Sequence, residues 1–401
     1  MPKYNYKAKT IDGATIKGAI EVNEERDVIA YLKDKGYFPL AITQQTLLQK
    51  EITFSFLETV KASDIAIFCR QFYTIINAGI SVLGCLDIMR KQTENAKLKE
   101  IIGKVYEEVQ KGNTLSSAMK EHKVFPSILM NMVEAGEVSG TLDTSFEKMA
   151  THFEKENKLN KKIKGAMTYP IIVAIVATIV IIILVTFVVP TFVGMFAGMG
   201  MELPLSTKIL LEISDFIKNR WYILLGGVVG GLFAFKKYAD SELGKLTLDG
   251  IKLRIPIFGK LNQKVIASRF SRTLSTLLAS GLPILSAIDM VAKVVDNHVV
   301  AKGLEKAGQE VSRGVDLATP IANIGIFPPM VVHMLKIGED TGSLESILEK
   351  TADFYDTEVE TAITQMTTLL EPLIIVVMAV VVGFVIISIV QPMFGMYGGI
   401  G

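Results

Sequence analysis

The chain repeats itself. Setting Phe270 against Phe68 aligns Arg272 with Arg70, Gly281 with Gly79, Leu285 with Leu83, Asp289 with Asp87 and Gly314 with Gly112. The same offset matches Phe327-Pro328 to Phe125-Pro126. It also matches Gly338-Glu339-Asp340-Thr341-Gly342-Ser343-Leu344 to Gly136-Glu137-Val138-Ser139-Gly140-Thr141-Leu142. Without a gap it reaches Pro372 against Pro170 and Pro392 against Pro190. One unit is therefore built twice, and any fold must hold two similar bodies that end in the same way.

Each copy ends in apolar sequence. Gly165 to Met201 carries no charged residue, and its centre, Ile171 to Val189, is almost wholly aliphatic. A helix needs about 20 apolar residues to cross a bilayer, so this is a first span. Leu373 to Val390, in a charge-free run from Pro372 to Gly401, is a third. Between them lies a weaker candidate, Trp221 to Phe235. As a helix it rises about 22 Å, short of the hydrocarbon core of about 30 Å. Arg220, Lys236 and Lys237 flank it and can snorkel, and Trp221 and Tyr222 suit the interface. The competing reading of this segment is a buried or re-entrant hairpin. A mean hydropathy of +0.39 alongside 21% charged residues fits polar domains alternating with spans.

Basic residues set the orientation. Lys155, Lys158, Lys161, Lys162 and Lys164 precede the first span, and after Pro190 no Lys or Arg occurs before Lys208. The N-terminal side is thus expected to be cytoplasmic. Lys236 and Lys237 return the chain inside. Asp353, Asp356, Glu358 and Glu360 precede the third span, so its direction follows from parity alone. Two parallel copies in one chain require such a return, which places the C-terminus outside. The opening residues, Met1-Pro2-Lys3-Tyr4, are polar and lack the apolar core of a signal peptide.

The expected architecture is an all-α membrane protein: two homologous six-helix cytoplasmic bundles, three transmembrane helices and a small N-terminal ββαβ module. Residues 1–50 form the module and a linker, 51–164 the first bundle, 165–193 the first transmembrane helix and 194–219 an external loop. Residues 220–237 are the second transmembrane helix, 238–371 the second bundle, 372–394 the third transmembrane helix and 395–401 an external tail. In the first bundle Ser63 and Asp64 cap a helix that stops at Gly79, and Ser81 opens the next. A third helix ends at Gly112, a short fourth follows Thr114, a fifth runs from Pro126 to Gly136, and a sixth starts near Thr141. In the module, alternating Tyr4 and Tyr6, then Asp12-Gly13, then Ile16 to Val22 read as a hairpin. Glu24 to Lys35 reads as a helix and Phe38 to Ile42 as a further strand. Thr43 to Glu51 reads as linker.

Chemistry-bearing patterns are sparse. Gly103-Lys104, Gly244-Lys245 and Gly259-Lys260 lack the Ser or Thr and the upstream glycine of a P-loop. His122, His152, His298 and His333 have no metal-ligand spacing, and no nucleophile–base arrangement stands out. The chain is read as a non-enzyme without a cofactor; whether a metal binds is left open. With 42 Lys and Arg against 41 Asp and Glu and no long run of one sign, nothing in it resembles a nucleic-acid surface, and no nucleic acid is expected to bind directly. Cys69 and Cys85 read as small buried hydrophobes. The most distinctive polar feature is the paired Gly-Glu-x-x-Gly-x-Leu, with Gly136, Glu137, Gly140 and Gly338, Glu339, Gly342. A turn explains most of it: Gly136 and Gly338 end helices, while Thr141 and Ser343 cap the next. Glu137 and Glu339 are not required by that geometry, and an exposed acidic turn could contact a partner or a cation. Tyr169-Pro170 and Glu371-Pro372 stand where polar helix becomes membrane helix. They read as static kinks or as hinges.

These residues resemble the F-type inner-membrane platform family of type II secretion systems and type IV pili. Four elements carry the likeness. The first is Tyr6-Lys7-Ala8 with Gly13 and Gly18. The second is the pair Phe68, Arg70, Ala78-Gly79, Leu83 and Phe270, Arg272, Ser280-Gly281, Leu285. The third is the duplicated Gly-Glu motif, and the fourth is Lys161-Lys162-Ile163-Lys164-Gly165-Ala166-Met167-Thr168-Tyr169-Pro170. The second copy has Glu371 where the first has Tyr169. The resemblance implies a multi-pass platform in the cytoplasmic membrane that couples a hexameric cytoplasmic ATPase to polymerisation of pilin or pseudopilin subunits. It also implies other inner-membrane alignment proteins and further copies of itself as partners, with lipid around the spans. The alternative is a repeat-built transporter or channel subunit. Three spans with almost no charge offer no solute path unless several chains assemble.

Overall fold

Alternation at the N-terminus builds a sheet. The computed structural model describes residues 3–9, 15–22, 25–44, 59–191, 205–256 and 258–398. Strand β1 (Lys3–Lys9) pairs antiparallel with β2 (Thr15–Glu21) on one side and β3 (Phe38–Gln44) on the other. Helix α1 (Glu25–Asp34) precedes β3. Side chains two apart on a strand share a face. Tyr4, Tyr6 and Ala8 accordingly meet Val28 and Leu32, one turn apart on α1, with Ile20, Val22, Tyr37 and Ile42 closing the cluster. The expected turn at Asp12-Gly13 and most of the expected linker lie outside the described residues.

The first repeat runs α2 (Ala62–Asn77), α3 (Val82–Gln92), α4 (Ala96–Gln110), α5 (Leu115–Lys120), α6 (Ser127–Ser139) and α7 (Leu142–Ile183). A π turn, Leu184–Val188, continues α7. Among the described residues there follow α8 (Leu205–Asn219), α9 (Trp221–Asp240) and α10 (Glu242–Arg254). The second repeat is α11 (Phe258–Ala279), α12 (Ile284–Val294), α13 (His298–Ser312), α14 (Ala318–Asn323), α15 (Pro329–Thr341) and α16 (Leu344–Gly398). The cores repeat with the sequence. Phe68 packs on Phe125 at 5.4 Å between ring centroids, and Phe270 packs on Phe327 at 4.7 Å. Phe72 stacks on Phe146 at 3.9 Å, joining α2 to α7; the aligned Leu274 and Leu348 are both fully buried.

Helices α7 and α16 carry the polar bundles into apolar sequence without a break, passing through Pro170 and Pro372. Both are long and apolar enough to span a bilayer, and little of either apolar stretch is buried. Ile171, Ile172, Ile175 and Val176 on α7 and Ile375, Val376, Val377 and Val380 on α16 all face outward. Buried soluble helices do the opposite. The two helices run parallel: Lys155 pairs with Asp353 at 2.7 Å, and Lys162 pairs with Glu360 further along. Between these pairs Leu159 packs with Val359, Ile363 and Met366, and with Leu261 and Val265 of α11.

The connecting region departs from the sequence reading. The expected loop at 194–219 contains α8, an amphipathic helix. Leu210 of α8 joins Val185 of the π turn, Val189 just beyond it and Val385 of α16 in a buried cluster, and Thr207 donates to the Ser388 carbonyl at 2.7 Å. Helix α9 continues past the weak apolar stretch through Lys236, Lys237 and Asp240 to a length of 20 residues, about 30 Å of rise. Helix α10 was not foreseen. Ser241 caps it, accepting from the Gly244 N–H, and Lys252 and Arg254 occupy its last turn.

Candidate functional site

The duplicated Gly-Glu motif closes α6 and α15 and opens the two long helices. Both helices run one turn past the expected stop, to Ser139 and Thr341. Gly140 and Gly342 supply the left-handed residue, with φ of 75° and 65°. A side chain there would meet its own carbonyl, which is why glycine ends so many helices. The Thr141 and Ser343 N–H groups reach back to the Gly136 and Gly338 carbonyls at 2.8 and 2.9 Å. Gly136 and Gly338 are helical, and they are glycine for a different reason. A Cβ on Gly136 would stand 2.3 Å from Ser145 Oγ; one on Gly338 would stand 2.8 Å from Leu344 Cδ2. Thr141 makes no side-chain cap; its hydroxyl meets Ser139 Oγ at 2.7 Å.

Glu137 and Glu339 turn inward. Glu137 accepts from the N–H groups of Leu115 and Ser116 at 2.6 and 3.0 Å, and from Ser116 Oγ at 2.7 Å. Glu339 accepts from the N–H groups of Leu317 and Ala318. Each carboxylate therefore sits on the first turn of a short helix, where unpaired N–H groups and the helix dipole favour an anion. What faces solvent at the turn is Val138, which is 86% exposed, and the aligned Asp340. At the other motif, Tyr169 is exposed and Pro170 buried, whereas Glu371 and Pro372 are both exposed.

A second duplicated feature is an arginine clamp. Arg70 grips Glu154 with Nε and Nη2, both at 2.7 Å, with Thr151 beside it. The aligned Arg272 holds Asp356 at 2.5 Å and Asp353 at 3.1 Å. Each clamp ties the first helix of a bundle to the long one. The hydrogen bond from Arg70 holds the Glu154 carboxyl below the usual range. Burial pushes Asp353 up, but hydrogen bonds from Lys155 and Arg272 outweigh it and leave the carboxyl lowered. The copies differ in exposure: the Arg70 side chain is 38% exposed and that of Arg272 only 9%.

Arg272 is covered because the first repeat lies on it. A cleft of about 260 Å³ separates the bundles, lined by Lys148, His152 and Lys155 of α7, Arg272 of α11, and Glu345 and Glu349 of α16. Lys148 donates to the Ala279 carbonyl across it. His152 is buried, its Nδ1 without a hydrogen-bond partner. Burial, with the Arg272 cation nearby, pushes its pKa down to about 4, so the ring is neutral at pH 7.

Comparison with known proteins places this arrangement. The family described as "Type II secretion system (T2SS), protein F" matches twice, at residues 68–190 and 270–392. Those limits coincide with the aligned Phe68–Pro190 and Phe270–Pro392 of the internal repeat. The chain belongs to the type II secretion system protein F family. The N-terminal domain of the family matches residues 1–43. Among relatives, the type IV pilus assembly protein PilC of Thermus thermophilus is 39% identical, covering 99% of both chains. PilC of Myxococcus xanthus is 37% identical over 99% of this chain and 96% of its own. The type II secretion system protein F of Vibrio cholerae is 30% identical over 99% of this chain and 98% of its own.

Within the chain, the sequence marks Arg70 and Arg272 only as aligned residues. Their acids lie 84 positions away, too far for a local pattern to reveal. The sequence sets Glu137 and Glu339 apart as residues beyond the needs of the turn; their partners, 21 and 22 positions upstream, give no sign in a local pattern. The buried Asp249, which accepts from His298 N and Nδ1 and from Lys252, escapes the sequence reading with the helix that carries it.

Proposed function

We propose that this chain is an inner-membrane platform of a type IV pilus or type II secretion machine, and that it couples a cytoplasmic assembly ATPase to polymerisation of pilin-like subunits. The observation that carries the reading is the fusion, made twice, of a polar six-helix bundle to a parallel apolar helix. Relatives spanning nearly the whole chain are named for type IV pilus assembly and for type II secretion. With no P-loop in the sequence, energy for movement comes from a partner.

In this reading the chain crosses the membrane three times, through the apolar parts of α7, α9 and α16. The N-terminal module and both bundles are cytoplasmic, α8 and the C-terminal tail external. The outward Tyr222, Ile223, Val228, Val229, Leu232 and Phe233 support α9 as the return. Leu142 stands 28 residues before Pro170, about 42 Å along α7, so the Gly-Glu turn is the membrane-distal end of a rigid rod. A partner pressing there acts along the span. Since Glu137 and Glu339 face inward, the contact falls to Val138 and Asp340 beside them. Pro170 and Pro372 set the angle at which each rod enters the bilayer.

Photo-reactive amino acids at Val138 and Asp340, introduced in cells that make the whole machine, test the coupling. The expected result is a covalent adduct with the assembly ATPase from at least one site. Adducts from neither site, with the ATPase present, would remove the coupling role.

A further inference from the structure

The two bundles of one chain meet through surfaces that are not equivalent. The first repeat uses one edge of α6 and α7: Asn131, Lys148, His152, Lys155 and Asn160. The second uses the Arg272 face of α11, α12 and α16. Such a head-to-tail contact leaves one copy of each surface over. The first repeat still has its own Arg70 face, and the second still has its own α15–α16 edge. Aligning the repeats names both. The spare edge is His333, Lys350, Phe354, Thr357 and Ala362, with His333, Lys350, Phe354 and Thr357 exposed. The spare face centres on Ile67, Arg70, Thr151, Asp143 and Glu147.

We infer that the spare edge of one chain docks on the spare face of another, so that the contact joining the two repeats within a chain also joins neighbouring chains. The occupant is a second copy of this protein. Complementarity is the argument, pair by pair. Lys148 lies beside Glu345 and Glu349 within the chain; between chains Lys350 would lie beside Asp143 and Glu147, with every charge kept. Arg269 donates to Asn160 at 2.7 Å; the aligned pair is Ile67 and Ala362, both apolar. Lys155 pairs with Asp353; the aligned pair is Thr357 and Thr151, both hydroxyls. His152, packed beside Arg272, becomes Phe354. Two of these exchanges are matched across the seam, Arg269–Asn160 by Ile67–Ala362 and Asp353–Lys155 by Thr151–Thr357, although the two positions of each pair are far apart in sequence. Both apolar members are open to a partner, Ile67 at 56% and Phe354 at 42% exposed.

Nearer the membrane the seam also changes on both sides. Leu159 and Ile163 packing with Val359 and Ile363 become Thr361 and Gln365 opposite Asn157 and Lys161. The contact between chains is therefore wetter and weaker than the one within a chain. Both long helices run in the same direction, so repeating the step keeps every span in one bilayer, and the series becomes a ring where the rotation per step closes. The inference rests on the repeat alone, whichever machine the chain serves.

Two tagged forms of the full chain, one with Thr151→Cys and the other with Thr357→Cys, co-expressed and treated in membranes with a short bismaleimide, test it. Cys69 and Cys85 are fully buried and stay out of the reaction. The expected product is a heterodimer from the mixed pair, with none from either variant paired with itself. Adding Phe354→Asp to the Thr357→Cys chain should abolish the adduct, while the thermal midpoint of that chain in detergent is unchanged. Failure of the mixed pair, adducts from same-site pairs, or an adduct indifferent to Phe354→Asp would each overturn the proposal.

Discussion

At the scale of single residues, the duplicated motif is a set of fitted parts rather than an exposed acidic turn. Glu137→Ala would leave the Leu115 and Ser116 N–H groups and the Ser116 hydroxyl without their acceptor. It is expected to destabilise the chain by about 1–3 kcal/mol, read as a lower thermal midpoint in detergent. An unchanged midpoint would return the residue to a purely external role. Gly136→Ala drives a Cβ into Ser145 and is expected to cost about 1–3 kcal/mol. Sequence alone showed that glycine was needed at these positions, because spacing reveals turns. It misassigned which glycine turns the chain and which one makes room, because close approach depends on a neighbour from the next helix.

His152 makes stability depend on pH. Its usual value is 6.5 and its folded value is about 4, so between these the unfolded chain takes up a proton that the folded chain refuses. Stability is full above about pH 6.5 and falls as the pH drops towards 4. Glu154 and Asp353, both held below their usual values, add further losses at lower pH. His152→Phe, which copies the aligned Phe354, is expected to flatten the thermal midpoint between pH 6.5 and 4. A slope as steep as that of the unsubstituted chain would rule His152 out as the source.

At the scale of elements, repetition made most helices legible and left their differences hidden. The six helices of each copy follow from caps, glycines and apolar spacing, and the spans from absent charge. Helices α8 and α10 escaped because they occur once, so no second copy drew attention to them. The π turn at Leu184–Val188 escaped because nothing in an aliphatic run distinguishes one helical pitch from another. The unequal burial of the clamps has a measurable consequence. Arg272→Ala opens a largely buried pair and is expected to cost about 2 kcal/mol or more. Arg70→Ala removes a solvent-screened pair and should cost below about 1 kcal/mol. Equal shifts in the thermal midpoint would mean that the second clamp gains nothing from lying under the first repeat.

At the scale of the whole molecule, duplication with both copies parallel requires something between them to bring the chain back. In the proposed topology that requirement, more than its own hydropathy, gives α9 the role of the return. The packing of α7 along α16, and of α8 against the far ends of both, shows two apolar rods held side by side. Single cysteines at Glu121, Lys208 and Gly399, treated with an impermeant thiol reagent in cells whose outer layers admit it, test this arrangement most directly. The account predicts that Lys208→Cys and Gly399→Cys react in intact cells and that Glu121→Cys reacts only after lysis. Labelling of Gly399→Cys only after lysis, or of Glu121→Cys before it, would contradict the parallel repeat on which the platform rests.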